Sequence, residues 1–103
     1  MAEVTEHAFS RQEKLLGPAA MEKLAAAHVA VFGLGGVGSF AAEAIARAGV
    51  GKITLVDHDT VSQSNLNRQL LALHSTLGQY KSALMRQRIL DINPFVQAEE
   101  KCV

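Results

Sequence analysis

A chain of 103 residues is long enough for one small domain, and a hydrophobic fraction of 49% is enough for a packed core. Ten basic and ten acidic side chains cancel, so no global field draws the molecule to nucleic acid, and an RNA contact would need a local patch or further sequence. A single cysteine, Cys102, excludes an internal disulfide and a cysteine-pair zinc site, which fits a cytoplasmic location, and no apolar run approaches the ~20 residues of a membrane span.

The opening "MAEVTEHAFSRQEK" mixes charges and lacks the apolar stretch of a secretory signal, and residues 1–9 are expected to be loose. "FSRQEKLLG" predicts a short helix ending at Gly17. "PAAMEKLAAAH" predicts a second, with Pro18 in its first turn, where a missing N–H costs nothing. "HVAVFG", an apolar run stopped by Gly33, has the pattern of a buried parallel strand. "GVGSFAAEAIARAG" has high helix propensity and ends on a capping glycine, Gly49. "KITLVD" reads as the second strand. "HDTVSQSNLNRQLLALHSTLG" is a long connection with one or two helical turns. "QYKSALMRQRILDIN" is a helix with Ala83, Leu84, Ile89 and Ile92 apolar, stopped at Asn93-Pro94. "FVQAEEKCV" starts a third strand, with Cys102 expected in the core rather than as a nucleophile.

Alternation of this kind predicts an α/β fold, a Rossmann-like parallel sheet with flanking helices. Three strands leave hydrophobic faces that need more cover, so the chain is expected to be the N-terminal part of a larger domain.

"GLGGVG" fits the spacing G-x-G-x-x-G with Gly33, Gly35 and Gly38. Gly33 permits the turn after the strand, Gly35 lets backbone approach a phosphate, and Gly38 lets the helix pack closely. The following helix N-terminus offers free N–H groups to an anion. A structural βα turn without a ligand is the bland alternative. Asp57, ending the second strand, is placed to hold ribose hydroxyls of NAD or of ATP, or to cap the next turn. Asp59 reads as a cap for "TVSQ". Asn65, Arg68 and Lys81 follow, in or beside loops at the carboxyl ends of the strands. An amide, a guanidinium and an ammonium there suit a triphosphate attacked at its α-phosphorus, with the cations neutralising charge as pyrophosphate departs. Hydride transfer needs no such cluster. Singly, Arg68 and Lys81 also read as surface charges and Asn65 as a turn residue. The four histidines, His7, His28, His58 and His74, show no metal-ligand spacing, so no metal site is assigned.

"VAVFGLGGVGSFAAEAIARAGVGKITLVDHDTVSQSNLNRQ" followed by "GQYKSALMRQRILDINP" resembles the ubiquitin-activating-enzyme superfamily, which includes ThiF and MoeB, over about residues 8–100. Within it, "SRQEKLLG", "GGVGSFAAEAIARAG" and "NRQLLALHSTLGQYK" lean toward the tRNA threonylcarbamoyladenosine dehydratases (TcdA, also CsdL). The resemblance implies residues 1–17 as an N-terminal segment with a short helix, and 18–103 as a nucleotide-binding ThiF-type domain, incomplete at its C-terminus. It implies adenylation of a carboxylate with ATP and Mg2+, the magnesium-binding aspartate lying beyond Val103. By position, Gly35 and Gly36 would lie against the phosphates, and Asp57 on the ribose. Asn65 and Arg68 would meet the α-phosphate, and Lys81 would hold phosphate charge. Arg11 would reach a partner subunit's site, which makes the working unit a homodimer; an ordinary exposed arginine is the alternative. The implied substrate is tRNA bearing threonylcarbamoyladenosine. Three other readings stay open: adenylation of a ubiquitin-like sulfur carrier, with sulfur-transfer proteins as partners; a nicotinamide oxidoreductase; and a non-enzymatic domain that binds nucleotide or self-associates.

Overall fold

The computed structural model describes residues 7–103, so the N-terminal segment expected to be loose falls mostly outside the described residues. Helix α1 (Ser10–Leu16) ends at Gly17, and α2 (Pro18–Ala26) starts on the next residue with its proline in the first turn. Strand β1 (His28–Phe32) leads through the glycine loop into α3 (Gly36–Ala48), which stops at Gly49. Strand β2 (Lys52–Val56) enters a long connection holding 3-10 turns at Gln63–Asn65 and His74–Thr76. Helix α4 (Lys81–Ile92) ends at Asn93, where the following proline forbids continuation, and β3 (Gln97–Lys101) closes the order.

The three strands are parallel in the order β1-β2-β3, with Val29 opposite Ile53 and Ile53 opposite Ala98. Side chains alternate across a strand, so Val29, Val31, Ile53, Leu55 and Ala98 share one face. That face meets α3 and α4, and Ile53, Leu55, Ala42, Ala46, Met85 and Ile89 are wholly buried there. Glu43 of α3 accepts a hydrogen bond from Arg88 Nε of α4 at 2.5 Å, which ties the two helices on their outer side.

The opposite face corrects the sequence reading. β1 was expected to be a buried strand, yet His28, Ala30 and Phe32 are exposed, Phe32 by 77%. β3 is exposed at four of its five positions, and Cys102 beyond it is exposed rather than in the core. Among the described residues both sheet-packing helices, α3 and α4, lie on one side and no helix covers the other, in keeping with the expectation that three strands leave faces needing more cover. Only β2, central in the sheet, keeps a buried residue on the second face, Thr54, whose Oγ1 lies 2.7 Å from His28 Nε2.

The connection after β2 folds back on itself. Thr60 pairs with Tyr80 in an antiparallel bridge, Val61 N–H donates to Gln79 O, and Gly78 N–H to Val61 O. Lys81 N–H donates to Asp59 O at 3.0 Å, which sets the first residue of α4 beside the exit of β2.

Candidate nucleotide-binding site

The glycine loop is built by two steric demands. Gly33 has φ +87°, a conformation that disfavours side chains, and its N–H reaches back to Val56 O at 2.8 Å. A Cβ on Gly38 would stand 1.7 Å from Gly33 O, so only glycine lets α3 start this close to the strand. Gly36 is different. A Cβ there would meet nothing within 4 Å, and its backbone is not in the left-handed region, so the chain's own packing does not require glycine. At Gly35 an added Cβ would meet Gln69 Nε2 at 3.7 Å, an ordinary contact.

Helix α3 starts without a cap. No side chain caps its N-terminus, its first turn has no acidic residue, and Gly35, Gly36, Val37 and Gly38 N–H find no acceptor among the described residues. The free N–H groups and the helix dipole together make a receptor for an anion.

Asp57, 8% exposed, ties this loop to β2: Oδ2 accepts from Leu34 N–H at 2.6 Å and Oδ1 from Asp59 N–H at 2.7 Å. The turn-capping reading of Asp57 is therefore realised, and each oxygen keeps lone-pair capacity toward a hydroxyl. Asp59 does not cap "TVSQ". Its carboxylate sits 3.3 Å from His58 Nε2, and the 3-10 turn is capped instead by Ser62 and Asn65.

Asn65 is buried, and its Oδ1 accepts from Ser62 N–H and Ser62 Oγ, both at 3.0 Å. That orients the amide, whose Nδ2 makes no hydrogen bond among the described residues. Arg68 is exposed; its Nη1 donates to Ser64 O at 2.9 Å and Asn67 Oδ1 at 3.0 Å, and it pairs with no carboxylate among the described residues. Lys81 is only 5% exposed, yet its ammonium has neither ion pair nor hydrogen bond among the described residues. Its Nζ is not among the buried unpartnered atoms, so the stem is covered while the ammonium reaches solvent at this end of the sheet.

The sequence reading missed Gln69. Its backbone N–H bonds Asn65 O at 3.0 Å, and its side chain crosses to Gly35. It is the bridge by which "SNLNRQ" meets the glycine loop. Its place in a run of polar residues held no signal of that contact.

Contacts thus link Gly33, Gly35, Gly36, Gly38, Asp57, Asn65 and Lys81 at the carboxyl end of the sheet, with Arg68 on the turn between Asn65 and Gln69. Arg11 is apart. Gln12 beside it donates to Ala48 O at 2.5 Å, and Phe9 lies against Gly49, both at the far end of α3. A 13-residue helix spans about 20 Å, so Arg11 does not share its own chain's loop. A cavity of about 790 Å³, lined in part by Phe9, Met21, His28, Lys52 and Phe95, opens at that far end too. It holds none of the candidate residues, and ligands of open parallel sheets bind at the carboxyl ends, so the glycine loop is the better candidate.

A family model described as the ThiF family matches residues 9–102. The chain belongs to the ThiF family. This membership sets aside the nicotinamide reading. Among ThiF-family relatives, the tRNA threonylcarbamoyladenosine dehydratase of Bacillus subtilis (strain 168) is 60% identical over 88 residues, covering 85% of this chain and 35% of the relative. The molybdopterin-synthase adenylyltransferase of Salmonella typhimurium (strain LT2) is 49% identical, covering 73% of this chain and 30% of the relative. The Escherichia coli dehydratase TcdA, solved in complex with ATP, superposes with a TM-score of 0.89 at 44% identity, over 92% of this chain and 39% of that one. The chain spans about a third of the length of the curated relatives it matches.

Proposed function

We propose that the chain is the nucleotide-binding part of an enzyme that dehydrates threonylcarbamoyladenosine in tRNA, using ATP and passing through an acyl-adenylate. One observation carries the nucleotide reading: an uncapped helix N-terminus and Lys81, whose stem is buried and whose ammonium pairs with no carboxylate among the described residues, lie at one end of the sheet. A polyphosphate satisfies both. The tRNA substrate rests on likeness to the Bacillus subtilis dehydratase.

In this reading Gly35 and Gly36 N–H groups and Lys81 hold phosphate oxygens, inside the loop that Gly33 and Gly38 shape. Asp57 accepts from ribose hydroxyls. Asn65 Nδ2 and Arg68 meet the α-phosphate. The substrate carboxylate attacks the α-phosphorus, its O–P bond forming as the bond to pyrophosphate breaks. The ureido group of the same modification then attacks the acyl carbon, the ring closes with loss of a proton, and AMP leaves. The net change in the nucleoside is loss of one water. Tethering supplies the second nucleophile at high effective molarity, so no protein nucleophile is required. The described residues bring no three His, Cys, Asp or Glu side chains together, so they do not by themselves make a Mg2+ site, and no step is routed through that ion. Modified tRNA as substrate implies a cytoplasmic place of action. No described helix is long and apolar enough to cross a membrane.

The decisive assay incubates the full chain with ATP, Mg2+ and tRNA carrying threonylcarbamoyladenosine, and reads the nucleoside by mass spectrometry. ATP-dependent loss of one water is expected. The second reading, adenylation of a sulfur carrier with sulfur-transfer partners, is favoured by the identity to the molybdopterin-synthase adenylyltransferase. Carrier adenylation without loss of water from tRNA would select it.

The distance of Arg11 from its own loop supports a homodimer in which Arg11 serves the partner's site. Arg11→Ala and Arg68→Ala are each expected to be nearly inactive. Mixed after subunit exchange, they should recover up to about a quarter of wild-type activity, because half the dimers are mixed and each has one intact site. No recovery in a mixture shown to exchange would place both residues in one chain's site.

A further inference from the structure

Gln69 has an arrangement that its backbone role does not explain. The carboxamide oxygen Oε1 is buried and has no hydrogen-bond partner among the described residues. The nitrogen Nε2 is not among the buried unpartnered atoms, makes no hydrogen bond among the described residues, and stands beside Gly35, 3.7 Å from where a Cβ would be. The side chain therefore turns its acceptor inward, where nothing answers it, and its two donors toward the loop whose own N–H groups are free. An orphaned buried acceptor destabilises the unliganded protein. A glutamine that served only to pack would be better as leucine or methionine.

We infer that Gln69 is a phosphate-binding residue of this site, its Nε2 donating to a phosphate oxygen held over Gly35. The inference rests on the nucleotide reading above and adds a neutral donor to it. Neutrality has a consequence. Lys81 and Arg68 bring charge, which attracts any polyphosphate, whereas an amide contributes only where an oxygen lies within reach, and so fixes position. The donor is delivered by the turn that carries Asn65 and Arg68, through Gln69 N–H to Asn65 O at 3.0 Å. Occupancy of the loop by phosphate is thereby coupled to the placement of both residues.

The test uses the full chain with Gln69→Leu and Gln69→Glu, titrated with ATP and separately with adenosine, and melted without ligand. Gln69→Leu removes the orphaned acceptor and the donor together. It is expected to raise the melting temperature of the free protein, to weaken ATP about tenfold to a hundredfold, as a hydrogen bond to a charged group predicts, and to leave adenosine affinity unchanged. Gln69→Glu, with a carboxylate against the phosphate, should weaken ATP further. A merely structural Gln69 would lower melting temperature and both affinities together, and that result overturns the inference. So does unchanged ATP affinity in Gln69→Leu while wild type binds ATP. Failure of the wild-type chain to bind ATP would instead overturn the nucleotide reading itself, and Gln69 with it.

Discussion

Lys81→Met should cut ATP-dependent AMP formation about a thousandfold while leaving the stability of the folded chain nearly unchanged. The two effects separate because the ammonium has no partner among the described residues and reaches solvent. Lys81 is 5% exposed and heads α4, held there by its N–H to Asp59 O. Methionine keeps the apolar stem and the main-chain bond, and the ammonium it removes reaches solvent, so stability should change by less than about 1.5 kcal/mol. With ATP present the charge matters. A cation against the phosphates is worth several kcal/mol in a site screened from water, so the rate of AMP formation should fall about a thousandfold. Thermal melting with and without ATP, beside a rate assay, reads both. A variant of unchanged activity would remove Lys81 from the site, and one of lowered stability would mean that the ammonium has a partner.

Glycines 38 and 36, two positions apart, should respond in opposite ways. Gly38→Ala places a Cβ 1.7 Å from Gly33 O, and both neighbours are backbone, so neither can rotate away. Separating α3 from β1 by the missing distance would strip contacts from Ala42, Ala46 and Leu34, all wholly buried. A loss of about 3 kcal/mol or more is expected, enough to lower the melting temperature by roughly 12 °C or more. Gly36→Ala meets nothing within 4 Å and sits in the first turn of α3. It should hold or slightly raise stability by reducing the freedom of the unfolded chain. Its cost should appear only in ATP affinity, since the methyl occupies space that the loop leaves open. Melting temperature and nucleotide titration of the pair separate the steric glycine from the ligand glycine. Equal ATP affinity for Gly36→Ala and wild type would make the open space incidental.

Local chemistry made most of the element order legible. Pro18 marks the start of α2, Gly49 the end of α3, and Asn93-Pro94 the end of α4, because each acts through its own φ, ψ or missing N–H. The loop spacing and the polar cluster after β2 were legible as a candidate site for a similar reason: a phosphate needs free N–H groups and cations, and the sequence puts both after strand ends. The roles of Asp57 and Asn65 were left between two readings, and the structure shows the structural half of each. Asp57 holds Leu34 and Asp59 N–H, and Asn65 caps its own turn through Ser62.

What depended on tertiary structure was every property set by distant residues. The alternation "HVAVF" is compatible with burial on one face or two. Among the described residues α3 and α4 cover a single side of the sheet, which leaves Phe32 exposed, and Cys102, beyond β3, is exposed as well. Gln69 became visible only when its turn met Gly35, 34 positions earlier in the chain. Arg11 parted from the rest because α1 packs on the far end of α3. The sequence by itself determined where backbone turns, caps and free N–H groups fall, since those are short-range and steric. Tertiary structure decided which side chains are covered and which meet, since burial and contact are set by whatever packs against a surface, and a strand's own residues do not encode that.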